Sequence, residues 1–149
     1  FTKANADSEG RIINQLIDEY AKTNDNIMVF TSLGMIKYLS ALKYSAMVIG
    51  NSSSGLLEAP SFGIPTVNIG DRQKGRIQAS SVINCEPTIE DIKKAIDIAL
   101  SKDFTKKAKE TSNPYGNGKT SEKVVDVIME FVLDKKIYLK KKFYDCEVR

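Results

Sequence analysis

Three short strand-like segments, residues 46–49 (AMVI), 66–69 (TVNI) and 81–84 (SVIN), constrain the fold of this chain more than any other feature. The first is an unbroken apolar run of the buried-strand type, and the other two read as further short strands bounded by turn residues. The stretches around them carry a helical period instead. Residues 9–22 place Ile12, Ile13, Leu16, Ile17 and Tyr20 on one face, with Asp7 or Ser8 before them as a cap. After a brief apolar run over 27–30, Ser32 is placed to cap a second helix over 33–42, which carries Met35, Tyr38, Leu39 and Leu42. A third helix is expected over 55–62, ended by Gly63 ahead of Pro65. Thr88, with Glu90 and Asp91 just after it, opens a helix to Leu100, and residues 120–133 show Val124, Val125, Ile128, Met129 and Val132 on an apolar side. Repeated strand-then-helix units with apolar strands predict an α/β fold, a parallel sheet with helices on both faces. Residues 103–119 are polar and turn-rich and read as an exposed connection.

Composition narrows the function classes. At 149 residues, 42% of them apolar, the chain is long enough for one domain with its own core. The net charge of +3 is too mild for a nucleic-acid partner, and much of the surplus sits in KKIYLKKK near the end. The expected organisation is a body over 1–134 and a basic tail over 135–149 that is either solvated or a helix lacking its partner. Two cysteines, Cys85 and Cys146, stand far apart with no histidine in the chain, which speaks against a disulfide framework, a zinc site or any other metal. Reduced thiols and a cytoplasmic location are expected. No apolar run reaches the roughly 18 residues that suggest a membrane span, and no signal peptide is visible. The chain opens on Phe1 in FTKANADSEG, a strand tail running into a turn, so a piece of a longer protein is expected.

The segment GNSSSG, between the first apolar run and the third helix, raises the question of chemistry. Three readings compete. A nucleophilic serine elbow needs G-x-S-x-G, which Gly50-Asn51-Ser52-Ser53-Ser54 lacks, and needs a base that a chain without histidine does not offer. A triphosphate loop fits G-x-x-x-x-G from Gly50 to Gly55, but Leu56 and Leu57 replace the lysine and hydroxyl that would meet phosphates and magnesium. No dinucleotide fingerprint is present either. The remaining reading is a cradle for another anion, since ligands of open parallel sheets bind beyond the strands' carboxyl ends, where amides and hydroxyls can converge. Glu58 would repel a phosphate and is better suited to gripping neutral hydroxyls such as those of ribose. Gly70-Asp71-Arg72-Gln73-Lys74-Gly75-Arg76 follows TVNI at the same edge and can bring arginines to phosphate oxygens. A diphosphate carrying a sugar fits. A serine-capped helix beside a surface arginine pair fits as well.

The block GNSSSGLLEAPSFGIPTVNIGDRQKGR, followed by NPYGNG, resembles the C-terminal domain of UDP-N-acetylglucosamine 2-epimerases, and its R-Q-x-G-R ending resembles the hydrolysing branch. The resemblance runs from KANADSEG to the helix ending near Leu133. It implies a Rossmann-like sheet forming one half of a glycosyltransferase-B-like two-domain fold. In that arrangement Ser52 and Ser53 contact the diphosphate, Glu58 holds the ribose hydroxyls and Arg72 lies near the phosphates or sugar. Tyr38 corresponds to the aromatic that stacks on uracil, although its position in the second helix equally suits a core residue. Asn5 and Asp7 fall in the family's N-A-D turn at the cleft, although a helix cap explains Asp7 as well.

The implied reaction removes the sugar's C2 proton, eliminates UDP, and adds water to give free N-acetylmannosamine for sialic or nonulosonic acid synthesis. The family's catalytic carboxylates belong to its N-terminal domain and its essential histidine lies upstream, so no catalytic residue is expected here and the isolated piece should be inactive. The implied partners are a UDP-sugar and the N-terminal domain of the same protein, within a homo-oligomer when full length, with neither a membrane nor a cofactor. A bacillosamine derivative is as compatible a sugar as N-acetylglucosamine. Three alternatives stay open: a non-hydrolysing epimerase, a UDP-sugar-dependent glycosyltransferase, and a non-catalytic UDP-binding module.

Overall fold

The computed structural model of the chain describes residues 1–4 and 10–133. The expectations placed on Asn5, on Asp7 and on the basic tail fall outside those residues. Helices α1 (Gly10–Lys22) and α2 (Gly34–Tyr44) precede strand β1 (Val48–Gly50), helix α3 (Ser54–Leu57) and a 3-10 turn over Ala59–Phe62. Strands β2 (Thr66–Ile69) and β3 (Val82–Cys85) follow, then helices α4 (Ile89–Leu100), α5 (Lys102–Lys109) and α6 (Thr120–Leu133). The chain forms two compact units, Phe1–Ser112, which holds the sheet, and Asn113–Arg149, in which α6 is the described helix.

The sheet is parallel throughout in the order β1-β2-β3, with Val48 opposite Thr66 and Thr66 opposite Val82. Alternation along β2 sends its side chains to two different helical layers. Val67, fully buried, packs with Ala95 and Ala99 of α4, joined by Met47, Ile69, Ile83 and Cys85. On the opposite face, Thr66 donates its hydroxyl to the Gly55 carbonyl at 2.9 Å. Val48, its register partner, packs into a cluster built on Leu42, Ala59 and Ile64. Helices therefore cover both faces, as the repeated strand-then-helix order predicts, and the fold is α/β.

Local chemistry explains where the elements begin and end. The Thr88 hydroxyl accepts the Asp91 amide at 3.2 Å and caps α4, which runs over the expected residues. The helix expected over 55–62 breaks in two. Pro60 has no N–H to continue an α-helical ladder, so α3 ends at Leu57 and the backbone tightens into 3-10 geometry. Gly63 then ends the turn in the left-handed region (φ 63°), with the α5 backbone so near that a Cβ would lie 3.0 Å from the Lys109 Cα.

Part of the exposed connection expected over 103–119 is helical. Helix α5 starts on a Ser101 hydroxyl that accepts the Phe104 amide at 3.3 Å, and it buries Ala108 completely. The brief apolar run at 27–30 yields no strand among the described residues; Phe30 makes an isolated parallel bridge to Thr2. Helix α1 is anchored near its middle by paired hydrogen bonds between the Asn14 side chain and the Ala4 backbone, and by a 2.6 Å Lys3–Asp18 ion pair. Ile12, Leu16 and Tyr20 of that helix are exposed.

Candidate functional site

The candidate site is the turn that leaves β1. Gly50 closes the strand at φ 143°, a conformation that side chains disfavour, and the chain then turns through Asn51, Ser52 and Ser53 into α3. The Ser52 hydroxyl accepts the Ser54 amide at 3.3 Å, and the Ser52 carbonyl accepts the Gly55 amide at 3.2 Å. Ser53 is the cap residue of α3, yet its side chain makes no capping hydrogen bond. Among the described residues, the Ser52 and Ser53 amides find no acceptor. With α3 only four residues long, little macrodipole accumulates. What the turn offers an anion is a set of local donors: two amides and the hydroxyls beside them.

Gly55 faces the sheet. A Cβ there would lie 2.6 Å from the Thr66 methyl, so the missing side chain is what lets α3 settle on β2. Ser54 turns inward as well, with its hydroxyl in a short hydrogen bond to that of Tyr38. Tyr38 is half-buried, and its ring packs on the Leu42–Ala59–Ile64 cluster. It is a core residue whose polar end reaches the serine turn.

Glu58 follows α3 and is half-buried, with one carboxylate oxygen, Oε2, shielded from solvent and without a hydrogen-bond partner among the described residues. A shielded, unpaired carboxylate oxygen carries a desolvation cost, which a hydroxyl donor would relieve. Arg72 is exposed on the loop after β2. That loop is held to the serine turn by its neighbour Gln73, which is 4% exposed and donates Nε2 to the Asn51 carbonyl at 2.8 Å. The structure thus brings the serine turn after β1 and the arginine loop after β2 together, with Tyr38 attached through Ser54 and Glu58 one helical turn further along the chain. The structural roles of Gln73 and Ser54 were not visible in the sequence. A buried glutamine between Arg72 and Lys74 has no periodicity to announce it.

A cavity of about 620 Å³ lies at the neighbouring strand ends and is not lined by the serines. Asn68, Asn84, Cys85, Lys74 and Lys94 line it, and a chain of side-chain amides runs from Asn68 to Asn84 and on to Gln78. Burial first, then the carboxylates of Asp91 and Glu86, push the Cys85 thiol up, which keeps it protonated and a poor nucleophile. Among the described residues, no group of three or more His, Cys, Asp or Glu side chains could hold a metal ion, and no helix is long and apolar enough to cross a membrane.

A parallel sheet with helices on both faces and a donor-rich turn beyond its first strand defines a Rossmann-like α/β domain. The sequence pattern of the UDP-N-acetylglucosamine 2-epimerase family matches residues 1–129, and the chain belongs to that family. A Campylobacter jejuni protein named GDP/UDP-N,N'-diacetylbacillosamine 2-epimerase (hydrolyzing) is 46% identical over 105 residues, 70% of this chain and 27% of that protein. The Escherichia coli polysialic acid biosynthesis protein P7 is 38% identical over 97% of this chain and 37% of its own length. A Legionella pneumophila UDP-N,N'-diacetylbacillosamine 2-epimerase (hydrolyzing) is 35% identical over 89% of this chain and 34% of its own. The chain therefore spans only about a third of the length of these relatives. A crystal structure from Listeria monocytogenes, described as a UDP-N-acetylglucosamine 2-epimerase, superposes with a TM-score of 0.66 at 21% identity over 96% of this chain and 38% of that one. It shares the fold, which is the Rossmann-like half of a glycosyltransferase-B-like arrangement.

Proposed function

We propose that this chain is the UDP-binding part of a hydrolysing UDP-sugar 2-epimerase. The observation that carries the reading is the open turn after β1. Two serine amides lack acceptors, an unpaired Glu58 oxygen lies one helical turn on, and an arginine loop is tied alongside. In this reading the Ser52 and Ser53 amides and hydroxyls receive the diphosphate, and Arg72 balances its charge. Glu58 accepts the ribose hydroxyls, where a carboxylate is an asset; against a phosphate it would be a liability. Uracil rests on the outward side of the half-buried Tyr38 ring.

The hydrolysing outcome is supported by the R-Q-x-G-R loop and by the two relatives whose names carry that word. The same two names favour an N-acetylated sugar of the bacillosamine type beside N-acetylglucosamine. Water adds after UDP is eliminated, and the sugar leaves free with C2 inverted. The groups that remove the C2 proton are assigned to the rest of the protein, so this chain alone binds UDP weakly and releases none from UDP-N-acetylglucosamine. A second domain of the same protein closes the cleft, and the full-length protein works as a homo-oligomer in the cytoplasm.

Calorimetric titration of the chain with UDP tests the site. Ser52→Ala and Glu58→Ala should each weaken binding about tenfold or more, the scale of one lost hydrogen bond to a charged group. Unchanged affinity in both variants would remove the assignment. UDP release by the unaltered chain alone would remove the division of labour.

A further inference from the structure

We infer that Gln73 is the positioning residue of the diphosphate cradle: it holds the arginine loop and the serine turn in one fixed arrangement. The inference rests on the reading of that turn given above. Gln73 lies between exposed Arg72 and Lys74, yet is itself 4% exposed. Its Nε2 donates to the Asn51 carbonyl at 2.8 Å across 22 residues of sequence. Asn51 immediately precedes Ser52 and Ser53, whose amides have no acceptor among the described residues. Fixing the Asn51 carbonyl fixes the peptide plane that carries the Ser52 N–H. The loop's own hydrogen bonds, from the Lys74 amide to Asp71 and from the Arg76 amide to Gln73, shape the loop without tying it to the turn.

The other half of the Gln73 amide points to the same conclusion. Its Oε1 is buried without a partner among the described residues, an arrangement that costs stability. A methionine would fill similar space with no orphaned acceptor, so a side chain chosen for packing alone has no need of the amide. What the amide supplies that methionine does not is the donated hydrogen bond to the turn. A carboxylate in its place would oppose the Asn51 carbonyl.

The test compares UDP with uridine on the 149-residue chain, by calorimetry or ligand-observed NMR, alongside thermal melts. The wild-type chain should prefer UDP. Gln73→Met should keep its melting temperature and lose about fivefold of that preference, with uridine affinity unchanged, and Gln73→Glu should lose more. A general packing defect would weaken both ligands together and lower the melt, which would overturn the inference. A preference that survives both substitutions would overturn it too, while leaving the cradle itself standing. A wild-type chain that binds UDP no better than uridine would sink the cradle and this inference with it. Should Gln73→Met fail to fold, Gln73→Lys keeps a donor within reach of the Asn51 carbonyl. Loss of the UDP preference in folded Gln73→Lys would count against the donated hydrogen bond.

Discussion

Two turns leave the same parallel sheet toward a helix, and they treat their amides in opposite ways. The turn after β3 closes on itself: Thr88 accepts the Asp91 amide, the Asp91 carboxylate accepts the Thr88 hydroxyl at 2.8 Å, and twelve helical residues follow. The turn after β1 has three serines and caps almost nothing. Ser53 makes no capping bond, and α3 runs only four residues before Pro60 tightens the backbone. Capping residues were at hand in both places, so supply does not explain the difference. A turn that spends its hydroxyls on its own backbone serves stability. One that leaves amides open gives up some stability and keeps donors for something else.

The substitution with the largest expected effect acts beneath the serine turn. Gly55→Ala drives a methyl into Thr66 of a buried strand and should cost about 2 kcal/mol in urea unfolding, with most of it regained in Gly55→Ala/Thr66→Ser. An unchanged midpoint would mean that α3 does not sit as closely on β2 as described.

The next pair compares the two turns directly. Thr88→Ala should cost about 1 kcal/mol and leave UDP affinity alone. Ser53→Ala should move stability by less than about 0.5 kcal/mol, because its side chain caps nothing, and should weaken UDP. If the two variants behaved alike in both measurements, the contrast would be empty.

The smallest effect concerns Cys85 and is best followed in a Cys146→Ser background. Burial and the carboxylates of Asp91 and Glu86 raise its pKa, so alkylation of the folded chain should reach half its maximal rate above the ordinary 9.0 and return to that value in urea. The sign follows from linkage: the folded state holds the proton more tightly. Its contribution to stability is complete below about pH 9 and declines above it, as the unfolded chain ionises first. Ionisation at or below the ordinary value in the folded chain would contradict this.

What could be read from the sequence tracks how locally each element is determined. Helix α4 announces itself through Thr88 and two acidic residues in its first turn, and β2 through a short segment, TVNI, set between Pro65 and Gly70. Helix α5 was missed because KDFTKKAK is mostly lysine and polar residues. Of its residues, Ala108 is buried and only Phe104 and Thr105 are half-buried, and the one signal was the Ser101 cap. The expected 55–62 helix ignored Pro60, whose effect on the ladder was legible in principle. In the candidate site, the serines, Glu58 and the arginine loop were legible because strand ends and turn residues mark where ligands meet a parallel sheet. The Gln73–Asn51 hydrogen bond and the Tyr38–Ser54 contact were not. Each joins residues distant in sequence through side chains that no period relates.

The close fit of Gly55 against Thr66 also bears on how this chain can change over generations. Positions 55 and 66 are linked: a side chain at 55 is tolerated only where 66 has already lost its methyl. Lineages that keep this turn should inherit the two as a unit, and swapping either alone between distant cousins should yield a protein that accumulates poorly.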